Sequence, residues 1–283
     1  MIFVSSACVK NKTIKESVLE LYQAGFQNIE LSGGTVYYDG MEADLLVLKE
    51  KYNLNLICHN YFPPPPLPFV LNLASLNERV NQDSLDHVLK SLDLSKKLEA
   101  PIYAVHAGYL IDIPVDEVGK KLNRYPLFEE KLALKQFIEN IEIISEAAGD
   151  IDLYIENNVI SAANYERYFP AQPLFFCDYE GFCSFARKLN IKPLLDVAHL
   201  KVSCNVLKKD FNYQLTTINE LTDYIHISDN DGLYDTNQHL EEGSELYMAL
   251  NNINLAGKVI TLEVYNGLDK VRETYENVQK LIK

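Results

Sequence analysis

The sequence predicts an α/β fold of the (βα)8 TIM barrel type, in a single domain spanning residues 1 to 283. Three observations carry this expectation. Short, apolar, β-branched runs alternate with helix-period segments eight times from the first residues to the last. The runs are near-continuously apolar, as in parallel strands covered on both faces. No GxGxxG turn follows the first run, and polar residues recur at the C-terminal ends, which favours a closed barrel over an open doubly wound sheet.

In order, the strand segments are IFVSSA at 2 to 7, NIELSG at 28 to 33, LNLICHN at 54 to 60, PIYAVHA at 101 to 107, DLYIENN at 152 to 158, KPLLDVA at 192 to 198, DYIHISD at 223 to 229 and KVITLEV at 258 to 264. The amphipathic segments lie at 13 to 25, 41 to 52, 76 to 99, 127 to 148, 179 to 189, 207 to 221, 243 to 254 and 269 to 282. Thr13 and Ser75 read as helix-entry residues and Gly25 as a helix stop. The segment YFPPPPLPFVLNLAS at 61 to 75 is the exception to the alternation. Its four consecutive prolines cannot join a sheet or a helix interior, so it is a stiff loop, either a spacer or a wall over the barrel mouth.

Composition narrows the function classes. The 40 acidic residues against 26 basic ones give a formal charge of −14, which repels a nucleic-acid backbone unless a metal or a basic patch reverses the field locally. No apolar stretch is long enough for a membrane span, and the N-terminus lacks the basic region of a secretory signal. The five cysteines form no CxxC pair and are odd in number, which fits a reduced, cytoplasmic protein. Lys120, Lys121 and Arg124 read as a solvated face rather than a phosphate site. Tyr or Phe exposed in the proline-rich loop would suit a homo-oligomer interface.

From the third strand to the eighth, every strand ends in a residue able to bind a metal: His59, His106, Glu156, Asp196 with His199, His226 and Glu263. In a closed parallel barrel these ends converge on one mouth. Three carboxylates brought together after apolar runs would repel one another and lose hydration, a penalty that a divalent cation removes. Glu156, Asp196, Glu263 and the nitrogen donor His226 are therefore the expected ligands, a set suited to Mn²⁺, Co²⁺, Mg²⁺ or Zn²⁺. The loop after the seventh strand reads either as a turn cluster or as a carrier that places Asp229, Asp235 or His239 over the mouth.

At IENN, LLDVAH, HISDNDG, DTNQHL and LEVY the chain resembles the xylose-isomerase-like barrel superfamily, which joins sugar and sugar-phosphate isomerases and epimerases with the endonuclease IV class. In the isomerase branch, the resemblance implies that Glu156, Asp196, His226 and Glu263 hold one catalytic divalent cation. The two glutamates face a small carbohydrate substrate from opposite sides, one removing a carbon-bound proton and the other returning one. His59, His106 and His199 would then line the substrate pocket. The endonuclease IV branch implies three Zn²⁺ ions and an Asp-x-His pair after the seventh strand. Here Asp235 lies four residues before His239, with Asn237 two before it, and this departure favours one metal. A third reading is a non-catalytic sugar-binding barrel.

Overall fold

In the computed structural model, which describes residues 1–189 and 191–282, eight parallel strands pair in sequence order and close on themselves. They are β1 (Ile2–Ser5), β2 (Asn28–Leu31), β3 (Asn55–His59), β4 (Ile102–His106), β5 (Asp152–Glu156), β6 (Lys192–Asp196), β7 (Tyr224–Ile227) and β8 (Val259–Leu262). The seam between β8 and β1 sets Ile2, Phe3 and Val4 opposite Ile260, Thr261 and Leu262. Each strand stops one or two residues short of its apolar run, where the chain leaves the ladder to form the mouth.

The helices are α1 (Ile14–Gln23), α2 (Met41–Tyr52), α3 (Glu78–Lys97), α4 (Glu130–Ala148), α5 (Ala162–Tyr168), α6 (Tyr179–Ala186), α7 (Val197–Leu207), α8 (Phe211–Asn219), α9 (Glu245–Leu250) and α10 (Leu268–Leu281). All eight expected segments carry a helix, and α5 and α7 are additional. The sequence VAHLKVSCNVL of α7 is buried over most of its length, so no polar face marks its helical period. Residues 197 and 198, expected in the sixth strand, are its first turn.

Local signals are realised with one change. Thr13 forms a capping box with Glu16 at the start of α1, and Gly25 takes φ 98° past its end. The cap of α3 is Asn77, whose side chain accepts from the amides of Arg79 and Val80. Ser75 instead supports that cap by accepting from the Asn77 amide at 3.1 Å.

Strand parity sorts the side chains into two compartments. Phe3, Ile57, Ile102, Ala104, Tyr154, Leu194 and Tyr224 pack together in the barrel interior. The alternate positions, among them Val4, Ile29, Leu31, Cys58, Val105, Ile155, Leu195 and Ile225, pack in the larger shell with the helices. Two positions further along each inward row stand His59, His106, Glu156, Asp196 and His226. A change of one residue in register would turn all of them into the helix layer.

The proline-rich loop divides its roles. Tyr61 lines the cavity at the mouth, whereas Pro63 through Phe69 border a separate groove with α3. Phe62 is fully buried and the Tyr61 hydroxyl accepts from the Leu71 amide at 3.1 Å, so neither is a free aromatic surface. Just after β4, Gly108 touches the other arm of this loop. A Cβ there would lie 2.4 Å from the Ala74 Cβ. Gly108→Ala is expected to destabilise the fold by about 1–3 kcal/mol, read as a lower urea midpoint at an unchanged slope.

Candidate active site

The mouth begins with the motif IENN. Glu156, the last residue of β5, is buried in the centre of four imidazoles. Its Oε2 lies 3.0 Å from His59 Nε2 and 3.4 Å from His106 Nε2, and its Oε1 lies 3.5 Å from His199 Nδ1 and 3.7 Å from His226 Nδ1. The first asparagine of the motif, Asn157, clamps the neighbouring strand's backbone. Its Oδ1 accepts from the Asp196 amide at 2.8 Å and its Nδ2 donates to the Asp196 carbonyl at 3.0 Å. The second, Asn158, donates to the carbonyls of Ala107 and Phe175, both at 2.8 Å, and so ties the loops after β4 and β5 together.

Asp196 ends β6 and caps α7. Its Oδ1 accepts from the His199 amide at 2.7 Å, while its buried Oδ2 has no hydrogen-bond partner. The cap fixes His199 on the first turn of α7, where its Nδ1 meets the Asn157 carbonyl at 2.8 Å and its Nε2 faces Asp235 Oδ2 at 3.2 Å. With Nδ1 donating to that carbonyl, Nε2 is the nitrogen directed at the mouth.

His226 projects from β7 between two glutamates. Its Nδ1 is buried without a hydrogen-bond partner, 3.7 Å from Glu156 Oε1 and 3.7 Å from Glu263 Oε2. Glu156, Asp196 and His199 offer atoms within 4.8 Å of one another, as do Asp196, His226 and Glu263, and likewise His59, His106 and Glu156. The buried atoms Asp196 Oδ2, Glu156 Oε2 and His226 Nδ1, all without hydrogen bonds, fit a divalent cation.

The loop after β7 is built to return to the mouth. Asp229 and Gln238 exchange backbone hydrogen bonds at 2.8 and 2.7 Å, closing the loop at its base. The Asp229 carboxylate accepts from Lys201 Nζ at 2.6 Å and from the Asn230 amide at 2.8 Å, so it anchors the loop and does not line the cavity. Asp235 and Asn237 do line it. His239, at the end of the returning arm, faces outward, 3.1 Å from Asn266 Nδ2 and 3.8 Å from Glu273 of α10. Of the ten site positions read from sequence, Asp229 and His239 thus stand apart from the rest.

The resulting cavity is about 630 Å³, large enough for a monosaccharide-sized ligand. Its walls include Tyr61, from the loop read as a wall over the mouth, and residues that sequence reading passed over: Ser32, Asn60, Tyr265 and the exposed Lys10. Lys120, Lys121 and Arg124 do not border it. A further omission lies beneath it. Glu30 of β2 is fully buried and touches His226. An acid within the apolar run NIELSG, on the same parity as Asn28 and Ser32, is the signal that marks it.

The electrostatics are those of anions crowded in a dry pocket. Burial pushes the Glu263 carboxyl up to about 7 and the Asp196 carboxyl up to about 6. Burial opposes the charge on Glu156 as well, but the surrounding His106, His59 and His226 outweigh it and hold that carboxyl well below its usual range. Burial likewise disfavours the imidazolium of His226, yet Glu30 and Glu263 overcome this and raise the ring to about 10. His106, with less compensation, is pushed down to about 4 by burial.

A cation binding here must displace protons from His226 and from the Glu263 carboxyl. Both groups hold their protons to higher pH than usual, so affinity is present at high pH and lost as pH falls. Mn²⁺ or Zn²⁺ affinity is expected to rise between about pH 6 and pH 8, by up to tenfold per pH unit for each proton displaced. Titration calorimetry in buffers of different ionisation enthalpy checks this, and a pH-independent affinity would contradict it.

Comparison with known proteins places this geometry in context. The family model described as "Xylose isomerase-like TIM barrel" matches residues 18–282. An uncharacterized protein of Methanocaldococcus jannaschii is 23% identical over 278 residues, covering 95% of this chain and 85% of that protein. A probable endonuclease 4 of Sulfurihydrogenibium sp. is 26% identical over 157 residues, which spans 51% of this chain and 55% of that one. Among solved structures, a D-tagatose 3-epimerase-like protein superposes with a TM-score of 0.71 at 20% identity, covering 99% of this chain and 96% of its own, a likeness of fold. The chain belongs to the xylose isomerase-like TIM barrel family.

Proposed function

From this membership, we propose that the protein is a divalent-metal-dependent isomerase or epimerase of a small sugar, keto-sugar or sugar phosphate. The observation that carries the reading is the pair Glu156 and Glu263. They come from the end of β5 and from just beyond β8, both line the same cavity, and each lies 3.7 Å from His226 Nδ1. The epimerase-like structural relative supports the same class.

Glu156, Asp196, His226 and Glu263 would hold the cation. When bound, it supplies a Lewis acid that stabilises negative charge developing on adjacent substrate oxygens. The chain's own residues do the proton work. Glu156, held ionised among its imidazoles, takes the proton from the carbon beside the carbonyl. Glu263, whose carboxyl is pushed up to about 7, returns one from the other side, and the roles exchange in the reverse direction. His106, kept neutral at pH 7, and His199, directed by the Asn157 carbonyl, are suited to hydrogen-bond substrate hydroxyls, with His59 and Asp235 completing the polar wall. Tyr61 and Tyr265 add aromatic surface to the wall of the same cavity.

A second reading, abasic-site endonuclease chemistry with three Zn²⁺ ions, is favoured by one observation. His59 and His106 flank Glu156 Oε2, and His199 pairs with Asp235, so the mouth has donors beyond four. Against it stand the outward turn of His239 and the charge of −14. Elemental analysis separates the two: about one metal per chain for the isomerase, about three for the nuclease, with incision of abasic duplex DNA.

The test of the leading reading is exchange with solvent. Incubated with Mn²⁺ and a panel of ketoses in D₂O, the wild-type protein is expected to place deuterium on the carbon next to the carbonyl of its substrate. Glu156→Gln and Glu263→Gln are each expected to slow that exchange by about 10²–10⁴-fold. Full exchange in either variant would overturn the mechanism.

A further inference from the structure

Beneath the mouth, one layer deeper in the barrel, lies a polar cluster that the proposed proton transfers do not use. Glu30 has no solvent exposure, yet its carboxylate is fully engaged. Oε2 accepts from Thr261 Oγ1 at 2.7 Å and from the Tyr224 hydroxyl, and lies 3.2 Å from His226 Nε2, while Oε1 accepts from Ser32 Oγ at 3.4 Å. Burying a carboxylate costs several kcal/mol unless its lone pairs are satisfied, so an acid in the middle of an apolar barrel demands an explanation.

Two explanations compete. Glu30, His59 and His226 offer atoms within 4.8 Å of one another, which would suit a ligand. The hydroxyls decide against it. Tyr224 comes from β7 itself and Thr261 from the adjacent β8, and both direct protons at the same oxygen that faces His226. Oε2, ringed by three donors, acts as a saturated hydrogen-bond acceptor, and Oε1 is turned away from His226 toward Ser32. The opposite edge of the His226 ring is the contrast: Nδ1 is buried, unpartnered and aimed between Glu156 and Glu263.

We propose that Glu30 is a positioning residue: it accepts the Nε2–H of His226 and thereby holds the ring so that Nδ1 is the metal-binding nitrogen. The inference rests on the metal-dependent reading above and assigns a role to a residue outside the ligand set. It links β2, which contributes no ligand, to the centre through an acceptor, a ring and a ligand atom in series. The carboxylate fixes the ring's orientation and raises the donor strength of Nδ1, while Thr261 and Tyr224 fix the carboxylate.

The wild-type protein carries the first test. In the Zn²⁺-loaded chain labelled with ¹⁵N-histidine, the ring of His226 is expected to keep its proton on Nε2 and to show the metal-shifted resonance at Nδ1. A metal-shifted Nε2, or a ring with no proton on either nitrogen, would overturn the proposal and leave the metal site standing. Absence of any bound Zn²⁺ would instead overturn the metal-dependent reading itself. The second test compares variants by calorimetry. Glu30→Gln is expected to weaken Zn²⁺ binding by about 10- to 100-fold, whereas Thr261→Val, which removes a neighbouring donor and leaves the Glu30–His226 contact, stays close to wild type. Equal losses in the two variants would mark the cluster as structural packing only, and unchanged affinity in Glu30→Gln would contradict the role outright.

Discussion

Everything at the mouth of this barrel follows from one constraint: carboxylates delivered by separate strands converge where water is scarce, and their charge must be balanced. Glu30, Glu156, Asp196 and Glu263 are all buried, within reach of His226 or of the residues beside it. The chain's own balance is made with protons. His226 holds its proton to about 10 and Glu263 to about 7. Under the proposed function those protons occupy the role that a divalent cation takes over, and the buried atoms without hydrogen bonds are the ones the cation would satisfy.

The surrounding structure holds these groups against their repulsion by spending ordinary backbone chemistry on them. Asn157 grips both backbone groups of Asp196, and the Asp196 side chain in turn caps α7 and sets His199. Asn158 binds carbonyls from two loops. The Asp229–Lys201 pair anchors the loop that returns Asp235 to the cavity. Apart from Asp196 Oδ1, these contacts use backbone or side chains outside the proposed ligand set, and Asp196 Oδ2 stays free. Rigid placement of this kind on strand ends suits a site whose donors must keep fixed directions.

Much of the fold was legible because barrel strands advertise themselves: each is an apolar run with a polar terminus, and the eight closed in the expected order. The boundaries of α7 were not, since a helix buried on most sides shows no period. The site was legible where a residue ends a strand. Asp196, His226 and Glu263 come within reach of one another, as do Glu156, Asp196 and His199, because each stands at, beside or just beyond a strand end. Loop positions were less so. Asp229, Asp235 and His239 lie in one polar loop whose sequence does not rank them, and the loop's closure between Asp229 and Gln238 sets Asp235 on the cavity side. Glu30 was hidden by its apolar neighbours, for an acid inside a strand becomes informative only once parity shows which wall it faces.

The most direct test of this account is anomalous diffraction at the manganese edge from crystals grown with Mn²⁺ and a ketose. The account predicts a peak bonded at about 2 Å to Glu156, Asp196, His226 through Nδ1, and Glu263, with the sugar between the two glutamates. A peak bonded to Glu30, or no peak within the mouth, would contradict it.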